Sequence, residues 1–207
     1  MAVERLTPDK RREQTRSHLL RAAAEVFSRR GYHGASLDEV AAEAGFSKGA
    51  VYSNFESKED LFLALVNDRT EQLVQDFGAA AEGHRTGAAL IKALSDVYIH
   101  LGSEDRGWAL STEFSLYALR NPELRKKLVT DNRAGRELVI ELVEQHCREA
   151  GVTPPLPAES IATIYIALFR GMWEQRALDP ETVPDDLFAS AIVFVRDAIE
   201  ALGTSVS

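Results

Sequence analysis

Residues 36–61 read SLDEVAAEAGFSKGAVYSNFESKEDL, and this stretch decides the fold. It opens on Ser36-Leu37-Asp38-Glu39, a serine followed three residues later by a glutamate. That spacing predicts a helix start, because the hydroxyl accepts from a free N–H of the first turn and the carboxylate reaches back to the serine N–H. Leu37, Val40, Ala41 and Ala44 then fall on one helical face. Gly45 supplies the left-handed residue that stops the helix. Ser47 caps a second helix through about Phe55, and Ser57-Lys58-Glu59-Asp60 starts a third, longer one. Two short helices joined by a glycine turn of this length form a helix-turn-helix, the unit that lays its second helix in the DNA major groove.

The second helix divides into two faces. Val51 and Phe55, four apart, are apolar and turn inward, while Lys48, Gly49, Tyr52 and Ser53 point away. Gly49 and Ala50 let a backbone come close. The start at Ser47 presents free N–H groups to phosphate. Ser47–Asn54 holds no Asp or Glu in a chain with 32 acids, and Tyr52 stands on the polar side. Both features suit a surface that faces an anion. The net charge of −8 argues against nucleic acid only until it is divided. Residues 1–56 carry 9 basic and 8 acidic side chains, the remainder 15 and 24, and residues 5–30 alone 8 and 3. A local basic face is what phosphate binding requires.

Outward from this core the chain reads as helix. Thr7-Pro8 is an N-cap and first-position pair for a helix ending near Arg30 at Gly31. Further helices are expected at about 87–101, 104–120, 121–150, 158–177 and 185–202, separated by the proline-rich 152–157 and the loop 178–184. Alternation of period two and internal repeats are absent. The expectation is an all-α protein of about nine helices. Residues 1–56, with the fourth helix to about 65, form a DNA-binding domain of three helices, and 57–207 a larger helical domain. The fourth helix is expected to join the two stiffly. No stretch approaches the roughly 18 apolar residues of a membrane span, and the polar start predicts no secretory leader. Cys147 is the only cysteine, so no internal disulfide forms. These features predict a cytoplasmic protein with no membrane partner.

Phe27, Gly31, Tyr32, Ser36, Val40-Ala41 and the run Ala44–Leu61 are similar to the DNA-binding signature of the TetR family of regulators, over about residues 10–65. The resemblance implies a homodimer that binds an inverted-repeat operator in double-stranded DNA and lets go when a small-molecule effector enters the C-terminal domain, which makes 57–207 the ligand-binding and dimerisation domain. It places Lys48, Gly49, Ala50, Tyr52, Ser53 and Asn54 on the recognition helix. It matches Lys58 to a phosphate-binding lysine and Ser36 to a position often held by threonine. Lys10, Arg11 and Arg12 lie where some members carry a basic arm. Tyr52, Lys58 and Ser36 are thus assigned to phosphate, Lys48 to a guanine edge, and Ser53 and Asn54 to bases or backbone.

The C-terminal region carries no signature that names a ligand. Ile164, Leu168 and Met172 on one late helix, and Phe188, Ile192, Val195 and Ile199 on the next, form wide apolar stripes. Such stripes serve either the protomer core or a four-helix bundle across a two-fold axis, and the family's last two helices favour the bundle. An effector pocket needs apolar walls and a few polar groups. Its candidates are Tyr98, His100, Trp108, Glu113, Phe114, Tyr117, Tyr165, Phe169 and Trp173, with Glu113 as the partner of a cationic ligand. Nucleophile-elbow, phosphate-loop and zinc motifs are all missing, so no catalytic activity, cofactor or metal is expected. The alternative is a helical adaptor that keeps the fold and acts through protein contacts; the acid-free block 47–54 and Lys58 argue against it.

Overall fold

The computed structural model describes residues 7–82, 87–103 and 106–205, apart from the side chains of Pro8, 101–103, 106–108, Asp131 and Ser205. Ten helices occur among them: α1 Pro8–Gly34, α2 Leu37–Ala44, α3 Lys48–Tyr52, α4 Lys58–Glu82, α5 Gly87–Ser103, α6 Arg106–Arg120, α7 Pro122–Asp131, α8 Arg133–Ala150, α9 Ala158–Leu178 and α10 Leu187–Leu202. The expected helix 121–150 is two helices, α7 and α8. The run Thr130-Asp131-Asn132 is poor in helix formers, and Asn132 sits at φ −79°, ψ 0°, where the chain turns. Val152–Thr153 (β1) pairs antiparallel with Thr204–Ser205 (β2), a two-residue ladder that no alternation in the sequence announced.

The chain divides into two compact units. One comprises Met1–Arg69 with Ala109–Pro122. Its core is Leu19, Ala23, Val26 and Phe27 of α1, Val40 and Ala41 of α2, Val51 of α3, Phe55, and Leu61 and Phe62 of α4, each at most 2% exposed. Phe114 of α6 belongs to this core. Its ring meets Phe62 at 5.2 Å, and Phe62 meets Phe27 edge-on at 4.9 Å. Residues 104–120 are expected in the larger domain. A helical stripe shows that a face is buried but not which core it joins.

The other unit comprises Thr70–Trp108 with Glu123–Ser207. Here α8 packs along α9, and α10 lies against both α9 and α5. Val143, Cys147, Ile161 and Ile199 form one buried cluster, with Tyr165 and Val195 against it. Tyr98, Trp173 and Phe188 form another, with Phe169, Met172 and Ile192 against it.

Candidate nucleic-acid interface and effector domain

The helix-turn-helix is built by local chemistry. The Ser36 hydroxyl accepts from Glu39 N–H at 3.2 Å, and Glu39 Oε2 accepts from Ser36 N–H at 3.0 Å. Gly45 (φ 69°, ψ 25°) ends α2, with Gly45 N–H donating to Ala42 and Phe46 N–H to Ala41. This is the pair of bonds that a left-handed residue makes possible at a helix end. Ser47 Oγ then accepts from Ala50 N–H at 3.3 Å and opens α3. Val51 and Phe55 are buried beneath it, while Tyr52 is 58% exposed. Ser47, Lys48, Gly49 and Ser53 are exposed as well, so the acid-free surface faces outward as one patch.

Within that patch several side chains are engaged. Lys48 Nζ is paired with Asp38 of α2. Ser53 Oγ and Asn54 Nδ2 both donate to Ala50 O, at 2.9 and 2.8 Å. The helix ends at Tyr52, three residues short of the expected Phe55, because these two side chains satisfy the backbone in its place. Ser53 Oγ also accepts from Asn54 Nδ2 at 3.4 Å.

Lys58, which the resemblance assigns to phosphate, is engaged within the protein. It is half-buried, and its Nζ donates to the carbonyls of Tyr32 at 2.7 Å, Ala35 at 3.0 Å and His33 at 3.4 Å. It lies 4.6 Å from the centroid of the Tyr32 ring. All three ammonium protons are thus directed at the end of α1. The matching N–H is held from the other side. At Gly31 the helix breaks (φ 69°, ψ 168°), and Tyr32 N–H donates to both oxygens of Glu113 on α6, at 2.9 and 3.0 Å. A cation takes the carbonyls and a carboxylate takes the amide. Tyr117 adds a hydrogen bond to Glu59 at 3.3 Å and a ring contact with Tyr32 at 5.1 Å. Burial, then the neighbouring Tyr117, pushes the Tyr32 phenol well above its usual range.

The first turns of α1 stand exposed and carry Lys10, Arg11 and Arg12. Arg16, which the sequence reading did not single out, lies over the Phe55 ring at 4.6 Å and brings a cation beside α3. The basic excess in residues 5–30 was its only signal. Arg30 and Arg29 reach Glu39 and Glu43 of α2, at 2.8 and 2.5 Å, and fasten the two helices.

The effector candidates fall in both units, and three of those in the second unit meet. Tyr98, Phe169 and Trp173 lie together: the Tyr98 ring is 5.7 Å from Phe169 and 5.9 Å from Trp173, and it stacks on Phe188 at 4.3 Å. Tyr98 is 1% exposed and its hydroxyl has no hydrogen-bond partner among the described residues. Burial raises its pKa. Tyr165 is in the other cluster, where burial pushes its phenol up to about 12. His100 is exposed, and the Trp108 side chain lies outside the described residues. Glu113, Phe114 and Tyr117 belong to the unit that holds the helix-turn-helix. Glu113 spends its charge on Tyr32 N–H, so it is not a spare carboxylate for a cationic ligand.

The dimer candidates also divide. Phe188 and Ile199 are buried in the protomer at 6% and 4%, and Leu168, Met172, Ile192 and Val195 are half-buried. Ile164 of α9, itself one of these candidates, is exposed, as are Leu187, Phe194 (75%) and Leu202 of α10. A stripe covering more than half of a helix does not reveal which part its own core takes.

Among the described residues, no helix is long and apolar enough to cross a membrane, and no cluster of His, Cys, Asp and Glu could hold a metal ion.

Comparison with known proteins agrees with this geometry. Residues 19–65 match the model for bacterial regulatory proteins of the tetR family, and residues 87–204 match that for the C-terminal region of BetI-type transcriptional repressors. The chain is 30% identical to the transcriptional activator FasR of Mycolicibacterium smegmatis over 138 residues, 65% of this chain and 61% of that protein. It is 25% identical to the regulator UidR of Escherichia coli over 161 residues, 77% of this chain and 80% of that one. A solved structure of a transcriptional regulator from Pseudomonas aeruginosa PAO1 superposes with a TM-score of 0.79 at 21% identity, over 95% of this chain and 93% of the other. The chain belongs to the TetR family of bacterial regulatory proteins: it is a DNA-binding transcriptional regulator rather than an enzyme, and its C-terminal region is of the BetI-repressor type.

Proposed function

We propose that this regulator is a repressor that grips a palindromic operator as a homodimer in the cytoplasm and leaves it when a small, largely apolar molecule enters the second unit. The observation that carries the DNA contact is the outward patch of α3: Ser47, Lys48, Gly49, Ala50, Tyr52, Ser53 and Asn54, with Tyr52 at 58% exposure and no acid between 47 and 54. Lys48 exchanges Asp38 for a base or phosphate, Ser36 and Tyr52 position the backbone, and Lys10, Arg11, Arg12 and Arg16 add cations along α1. Lys58 acts indirectly, by holding the end of α1. The match to a repressor C-terminal region supports repression, although one relative is named an activator.

Homodimerisation is assigned to the outward apolar face of α9 and α10. Gly171 stands exposed in the middle of α9, with open space where a Cβ would sit. A helix-interior glycine costs about 1 kcal/mol against alanine, and close approach by a second helix offsets it. The Tyr98 hydroxyl is the effector's polar handle. A buried hydroxyl with no partner costs about 1–3 kcal/mol, which an acceptor or donor on an otherwise apolar molecule recovers. Release is a population shift: the effector weakens operator binding by as much as it prefers the released state.

Selection of binding sites from random duplex DNA, then titration of the winner at two salt concentrations, tests the DNA reading. An enriched inverted repeat with half-sites about one DNA turn apart, bound less tightly as salt rises, is the expected result. No enrichment by a folded dimer refutes it in favour of an adaptor acting through protein contacts.

A further inference from the structure

A groove of about 500 Å³ runs between α5 and α10, within the second unit. Its α5 wall is Ile91, Ser95 and Ile99, spaced four apart, and its α10 wall is Ala189, Val193 and Arg196. Ser95 is the one buried polar residue among the described residues, at 6% exposure. The volume is ordinary for a small-molecule site. The groove lies on a different face of α10 from Phe194, so a partner that covers Phe194 leaves it open.

The rim carries both signs of charge, and most of them cancel. Lys92 is paired with Asp96 at 2.6 Å, Asp185 with Arg176 at 2.5 Å, and Arg196 with Asp197 at 2.7 Å. Asp186 is the exception. It precedes the first turn of α10 but makes no side-chain cap, and no ion pair engages it among the described residues. The groove thus presents an apolar floor, one hydroxyl and one unopposed carboxylate.

We infer that this groove is a binding site for small organic cations, an apolar body lying along Ile91, Ile99 and Val193 with its ammonium group at Asp186. An anion of the same shape meets the Asp186 carboxylate and is disfavoured. A neutral molecule gains the floor but leaves that charge unopposed. Ile99 of its floor also packs against the Tyr98 cluster, but the inference does not rest on the proposed release mechanism.

The test is a pair of NMR titrations of the full-length protein, with n-octylammonium chloride and with sodium octanoate, both well below micelle formation. The ammonium is expected to bind more tightly. Asp186→Asn, at an exposed position, is expected to weaken it roughly two- to fivefold, the range of an exposed ion pair, and to bring the two ligands together. Ala88→Trp, which fills the groove mouth from an exposed position, should weaken both. Equal binding of octanoate to the unchanged protein overturns the inference. So does ammonium binding that survives both substitutions, which places the molecule elsewhere.

Discussion

Replacement of Gly31 by alanine is the sharpest test of how α1 is held. Gly31 sits at φ 69°, ψ 168°, a region that L-residues with a side chain essentially never occupy. The conformation alone costs on the order of 1–3 kcal/mol for alanine. The new Cβ also lands 3.3 Å from Glu113 Oε1 and 3.4 Å from Oε2, the oxygens that accept from Tyr32 N–H. If the carboxylate yields, a hydrogen bond to a charged group goes with it, worth roughly another 1.5–3 kcal/mol. Glu113→Ala removes only this second part. A double-mutant cycle in urea, followed by circular dichroism, separates the two, since the residues are in contact and should couple. Gly31→Ala is expected to cost less in the Glu113→Ala background than alone. Hydrogen exchange at the Tyr32 amide should speed up in each single variant. A Gly31→Ala protein within about 0.5 kcal/mol of the parent, the span of an ordinary surface change, would refute both the strain and the latch.

Tyr52→Ala should weaken operator binding by about 1–3 kcal/mol with the thermal midpoint unchanged; equal affinity in the folded variant would show that the outward face is not the reading face. Phe194→Glu should turn the dimer into monomers, because burying a phenylalanine on each side of a two-fold axis is worth about 1.5–3 kcal/mol apiece. Sedimentation showing an intact dimer rejects that face. Raising the pH should destabilise the protein through Tyr165. Its folded phenol titrates near about 12, above the usual 10, so the folded state keeps the proton longer than the unfolded one does. The stabilisation is whole below pH 10 and drains away between pH 10 and 12. Tyr165→Phe should flatten that part of the pH–stability curve, and an unaltered alkaline transition argues against a buried phenol.

Much of the DNA-binding unit was legible because its instructions are local. Ser36 with Glu39, Gly45, Ser47 and Ser57 each act within one helical turn, and each does in the structure what its spacing implied. The inward Val51 and Phe55 and the outward Tyr52 follow from a period of 3.6 residues and nothing else. Such features need no knowledge of distant residues, so a linear reading reaches them.

What tertiary structure alone decided is which distant groups meet. Glu113 reaches the Tyr32 amide across 81 residues and Lys58 reaches the Tyr32 carbonyl across 26, and no local signal in the sequence joined the two into one clasp. Phe188 and Ile199 went into the protomer and Phe194 out of it, although all three share one apolar helix. Apolar burial is non-directional: a side chain gains as much from one neighbour as from another. A stripe of hydrophobic residues therefore states that a face is covered, and only the packed molecule states by what.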